Sequence, residues 1–188
     1  YDAGQRIFGE NTAQEMLPKY EELPKDIEWH MIGTLQSNKV KYIAPFVSLI
    51  HSVDREKLLK EINKRAKAND RIIHCLLQVH IAEEETKSGF DKAGIQQLLD
   101  SGKLQEYKNV EIVGLMGMAT NTDEQTKVEA EFKFLSALFN ELKTSYFSGS
   151  DSFKILSMGM SQDYEIAVEQ GSNMVRIGSS IFGSRTYP

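Results

Sequence analysis

Two short runs carry the residue types best suited to chemistry: Ser157-Met158-Gly159-Met160-Ser161 and Val175-Arg176-Ile177-Gly178-Ser179. Each follows an apolar strand candidate, Lys154-Ile155-Leu156 in one case and Asn173-Met174-Val175 in the other. Glycine lets a backbone come close to a ligand, serine adds a hydroxyl, and N–H groups opening a helix favour an anion. Either run alone reads equally well as an ordinary strand-to-helix turn. Side by side they would form a cup for phosphate, with Arg176 pointing in beside it.

Strands and helices must alternate to place those runs. Ile7-Phe8-Gly9 reads as a strand, followed by a helix from Thr12 to Tyr20. Glu28 to Ile32, Val47 to His51, Ile72 to Ile81, Val110 to Met116, Ile155 to Met158 and Met174 to Ile177 read as further strands, with Ile72 to Ile81 the longest. Helices are expected within Gln36 to Phe46, from Asp54 (as N-cap) to Lys67, and over Asp91 to Ser101, Asp123 to Lys143 and Asp163 to Gln170. Apolar strands joined by helical crossovers indicate a parallel sheet covered on both faces or closed into a barrel. Tyr1 to Arg6 reads as the tail of a helix stopped at Gly4, which implies one β–α unit ahead of Tyr1. The fold expected is thus α/β, a (β/α)8 barrel whose first β–α unit is absent or incomplete, with an open doubly wound sheet as the alternative.

The chain of 188 residues suits a single domain spanning 1–188, and no Pro/Gly linker divides it. A net charge of -5 without a basic run argues against a nucleic-acid binder. The cluster Lys57, Lys60, Lys64, Arg65 and Lys67 is interleaved with Glu56 and Glu61, as on a solvated helix face. Cys75, the one cysteine, lies in an apolar run and reads as a buried small hydrophobe, consistent with a reducing compartment. No stretch is apolar over the roughly 20 residues that span a bilayer, and the start does not resemble a signal peptide. A cytoplasmic monomer without nucleic-acid or membrane partners is expected. His51, His74 and His80 show no metal-ligand spacing with Cys75, so no metal site is read.

The runs Phe8-Gly9-Glu10-Asn11, Trp29 to Lys39, Lys87-Ser88-Gly89-Phe90, Gly114-Leu115-Met116, Ser157 to Ser161 and Arg176 to Gly183 together resemble the pyridoxal phosphate homeostasis protein family. The resemblance covers essentially the whole chain in order. It implies a barrel like the N-terminal domain of alanine racemase, which binds pyridoxal 5′-phosphate (PLP) and buffers or carries it inside the cell without established catalysis. Family members hold the cofactor aldehyde as a Schiff base on a lysine at the end of the first strand. By this alignment that lysine is expected upstream of Tyr1, and none of Lys19, Lys25, Lys39, Lys41 or Lys87 takes its place. A racemase-like fold-type III enzyme and an inactive truncated barrel are the alternatives.

The resemblance implies that Arg176 faces the pyridine nitrogen, and that Ser161, Gly178 and Ser179 hold the phosphate with Ser157 close by. A cation opposite the ring nitrogen disfavours its protonation and weakens the ring as an electron sink, which suits holding the cofactor. Asn11, at the end of a strand, is expected to contact the cofactor or position the upstream lysine, with a helix N-cap as its bland alternative. His30 is expected to face the barrel mouth, although a lone strand histidine is more often structural. No catalytic residue is assigned.

Overall fold

The structure, a computed structural model, describes residues 1–84 and 88–183. Lys87, part of one of the runs above, lies outside them. Seven strands form one sheet: β1 (Ile7–Glu10), β2 (Glu28–Met31), β3 (Leu49–Val53), β4 (Ile73–Val79), β5 (Val110–Gly117), β6 (Ile155–Met160) and β7 (Met174–Arg176). Their order in the sheet is their order in the chain, and every pairing is parallel. A doubly wound sheet reverses its order at a switch point, so this topology rules that alternative out. The sheet is also strongly curled. Strands three places apart lie about 14 Å from each other in a flat sheet, yet the side chains of His51 on β3 and Ser157 on β6 meet at 3.0 Å. These strands form a nearly closed barrel.

Helices α1 (Ala13–Glu22), α2 (Val40–Ile43), α3 (Glu56–Ala68), α4 (Lys92–Asp100), α5 (Gln125–Ser145), α6 (Tyr164–Glu169) and α7 (Ser179–Phe182) connect the strands or follow the last of them. Helix α3 buries Leu58, Leu59, Ile62 and Ala66, and α5 buries Val128, Phe132, Leu135, Leu138, Phe139 and Leu142, each at helical spacing. These stripes pack on the outward side chains of the strands, such as Ile50, Cys75, Leu77, Ile112 and Leu115. A smaller apolar cluster of Leu49, Leu76, Val113 and Met116 fills part of the inside. Cys75 is fully buried, and desolvation pushes its thiol well above the usual range.

Several local expectations change. Tyr1 to Gly4 forms a turn closed by Gly4 N–H donating to the Tyr1 carbonyl, rather than a helical tail. The longest strand is β5, at 8 residues. Within Gln36 to Phe46 the chain makes a 3-10 turn over Ser37–Lys39 before the single turn of α2. Arg55, not Asp54, stands at the N-cap of α3 with no side-chain cap, because the Asp54 carboxylate turns to the Arg55 guanidinium. Helix α1 is capped by Thr12 and not Asn11: Thr12 Oγ1 accepts the Glu15 N–H at 3.2 Å and donates to the Glu15 carboxylate at 3.1 Å. This is half of a capping box: Thr12 caps the Glu15 N–H, while the Glu15 carboxylate takes the Thr12 hydroxyl in place of its backbone N–H.

Candidate functional site

The C-terminal ends of β5, β6 and β7 meet around Arg176. Ser157 is paired in register with Met174, and Met160 with Arg176, so β6 spends three residues where β7 spends two. Such a bulge re-aims side chains. Gly159 makes it possible: its φ is +95°, and a Cβ there would stand 2.6 Å from Ala167 Cβ on α6. Only glycine lets β6 turn here with α6 packed so near.

Past the bulge, the Arg176 side chain reaches back into the barrel. Its Nη1 donates to the Ser157 carbonyl at 3.0 Å and to Ser157 Oγ at 2.8 Å, and Nη2 donates to the Gly117 carbonyl at 3.1 Å. Arg176 as a whole is half-buried, but the guanidinium is held against β5 and β6. Desolvation lowers its pKa to about 10, opposed by the Asp163 carboxylate, so it stays cationic near neutral pH. Ser157, expected beside a phosphate, is fully buried with its hydroxyl between Arg176 and His51. It holds the arginine rather than facing the cup.

The polar contacts continue inward. His51 Nδ1 lies 3.0 Å from Ser157 Oγ, and His51 Nε2 lies 3.1 Å from His30 Nδ1. Both histidines are buried. Burial pulls His30 down to about 4, with repulsion from His74 adding to it. Burial also holds His51 well below the usual histidine value, reinforced by His30 and by the Arg176 charge. Both imidazoles are therefore neutral at pH 7. His30, expected at the mouth, stands behind His51 instead. Ser157 and His51 have the atoms of a nucleophile–base dyad. However, a hydroxyl with no exposed surface that already accepts from a guanidinium cannot reach a substrate.

The second feature is the cup. The N–H groups of Gly178 and Ser180 converge on one oxygen, Ser161 Oγ, at 3.2 and 3.4 Å. Gly178, Ser179 and Ser180 are exposed. Gly178 has φ −125°, and nothing lies within 4 Å of the place its Cβ would occupy, so neither strain nor crowding demands glycine there. The open space beside two convergent donors can accept one oxygen of an anion. The cup floor is fixed by Asp163, whose carboxylate accepts the Met160 N–H at 2.6 Å. Structure thus brings Ser161, Arg176, Gly178 and Ser179 to adjoining strand ends.

Asn11 follows the opposite edge strand, β1. It is half-buried, and Gly33 packs so tightly on it that a Cβ would stand 2.3 Å from the Asn11 carbonyl oxygen. Sequence reasoning gave His51 no role, and placed Gly117 only among the small residues that follow strand ends. His51 carries no local motif, and its partner Ser157 is 106 residues away. Gly117 acts through its carbonyl, which every residue has.

The sequence profile of the family described as alanine racemase, N-terminal domain, matches residues 1–186. A pyridoxal phosphate homeostasis protein of Aquifex aeolicus is 42% identical over 188 residues, covering 100% of this chain and 80% of that protein. PipY of Synechococcus elongatus, solved without PLP, superimposes with a TM-score of 0.90 at 34% identity over 97% of this chain and 84% of PipY. PipY with PLP bound gives a TM-score of 0.86 at the same identity and the same coverage of both chains.

Proposed function

This chain belongs to the alanine racemase N-terminal domain family and, within it, to the pyridoxal phosphate homeostasis proteins, and we propose that it binds pyridoxal 5′-phosphate to hold and release it. One observation carries the reading: two backbone N–H groups aim at a single oxygen position beside the open space at Gly178, next to a buried, fixed cation. A phosphate and an electron-rich ring nitrogen fit that pair. PLP supplies an aldehyde and an electron-accepting ring when bound.

The cup takes the phosphate. Ser161 Oγ now accepts both N–H groups, and its own hydrogen is left to turn toward an anionic oxygen. A phosphate oxygen that displaces Ser161 Oγ from the Gly178 and Ser180 N–H groups would take both of them, with Ser179 between the two in sequence. Arg176 faces the ring nitrogen as a cation that cannot accept a hydrogen bond. It keeps the ring unprotonated and a weak electron sink, which suits storage over carbanion chemistry. Asn11 and His30 belong to the surround of the ring, His30 through His51. The homeostasis names of relatives on several branches support a carrier over an enzyme.

The test is a binding series on this chain with PLP, pyridoxal and inorganic phosphate, read by tryptophan and cofactor fluorescence. PLP should bind best, pyridoxal at least tenfold more weakly, and phosphate should compete with PLP. Equal affinity for PLP and pyridoxal, or no competition by phosphate, would sink the assignment of the cup.

A further inference from the structure

The row Arg176–Ser157–His51–His30 crosses the barrel from β7 to β2, and its hydrogens can be placed by counting. Arg176 can only donate, so Ser157 Oγ accepts at that contact. The Ser157 hydroxyl then has one hydrogen of its own, in a place with no exposed surface. The acceptor the geometry offers it is His51 Nδ1, at 3.0 Å. If His51 Nδ1 instead carried the proton, the serine hydrogen would be buried without that partner, which is unfavourable because no water can replace it. Nδ1 of His51 is therefore bare, Nε2 bears the hydrogen, and it donates to His30 Nδ1 at 3.1 Å. All the donors run one way, outward from the guanidinium, and each bond polarises the next.

We propose that His51, backed by His30, is a positioning residue for Arg176: it holds the Ser157 hydroxyl turned so that an oxygen lone pair faces the guanidinium, and so fixes where that cation meets a bound ring. The meeting with a ring rests on the PLP reading above; the hold on Arg176 does not. A bare Nδ1 is needed for this work: burial keeps the ring neutral, and the hydrogen that Ser157 donates decides which nitrogen is bare. Without His51 the serine hydroxyl is free to rotate, and its hydrogen can turn toward the arginine and push it off.

Two measurements decide the matter. In the chain without ligand, nitrogen NMR should find His51 protonated on Nε2 and bare on Nδ1, with His30 bare on Nδ1 and the Arg176 guanidinium hydrogens slow to exchange. His51 protonated on Nδ1 would overturn the proposal, whatever PLP does. In binding, His51→Leu should weaken PLP about tenfold while leaving inorganic phosphate and the 1-deaza analogue of PLP, which lacks the ring nitrogen, within twofold. His51→Asn, which keeps an acceptor near Nδ1, should restore most of the PLP affinity. An equal loss for all three ligands would reduce His51 to a packing residue and refute its role. If the unmodified chain binds no PLP, the proposed function fails, and the NMR result alone decides for or against the hold on Arg176.

Discussion

The two ends of the candidate site are built from different materials. The proposed ring end is made of side chains tied to one another, buried at Ser157, His51 and His30 and half-buried at Arg176: Arg176 to Ser157 at 2.8 Å, Ser157 to His51 at 3.0 Å, His51 to His30 at 3.1 Å. The cup end is made of exposed backbone N–H groups on longer bonds of 3.2 and 3.4 Å to one serine. Buried polar networks are stiff and costly to disturb, because an unmade bond there has no water to replace it. Exposed contacts exchange with solvent at little cost. The cation is thus fixed in advance, whereas the cup end keeps exposed donors beside open space at Gly178, as the proposed phosphate seat requires.

The largest test of this contrast is pH. His30 has a folded pKa of about 4 against an ordinary value near 6.5, so the folded state resists a proton that the unfolded chain accepts. Its stability is fully present above pH 6.5 and lost as pH falls through 4, by about 3 kcal/mol at pH 4. Urea unfolding of the parent chain and of His30→Asn over pH 7 to 4 should show the variant losing about 3 kcal/mol less. Parallel profiles would mean that the histidine row is not held neutral. A cup variant such as Ser161→Ala should track the parent chain.

The two glycines at the strand ends come next. Gly159→Ala forces a side chain into φ +95° and onto Ala167, and should cost about 2 kcal/mol in thermal or urea unfolding. Gly178→Ala meets open space, and should change stability by less than about 0.5 kcal/mol. Phosphate binding to Gly178→Ala, followed by phosphorus NMR, should nevertheless weaken about tenfold, because the new methyl stands in the cup. A stable variant with unchanged phosphate affinity would show that the open space is not the seat.

The smallest effect on phosphate binding belongs to Ser161→Ala. Two long, exposed hydrogen bonds are lost, so unfolding should shift by no more than about 1 kcal/mol and phosphate affinity by a few-fold. A loss comparable with that of Gly159→Ala would place Ser161 with the buried network and erase the contrast.

The family and barrel were legible because apolar strands and amphipathic helices recur in order. β4 over Ile73–Val79 and the buried stripe of α5 are patterns that neighbours in sequence create and that burial then satisfies. The place of the proposed cup was open to the same reading, because Ser161, Gly178 and Ser179 are small residues just after strands, but the meeting of Ser161 Oγ with the Gly178 and Ser180 N–H groups joins residues 17 and 19 apart. Capping was only half legible. The sequence shows Asn11-Thr12 and Asp54-Arg55 side by side, and which residue caps depends on where the incoming strand leaves each side chain.

What the tertiary structure alone decided is the company Arg176 keeps. Ser157 reads in the sequence as one more hydroxyl near a phosphate, and His51 as a histidine without a partner. Barrel closure brings β3 across to β6, and the extra residue at the β6 bulge swings the guanidinium back onto Ser157. Side-chain contacts made over such distances depend on curvature and register, and neither is encoded in any short run of residues.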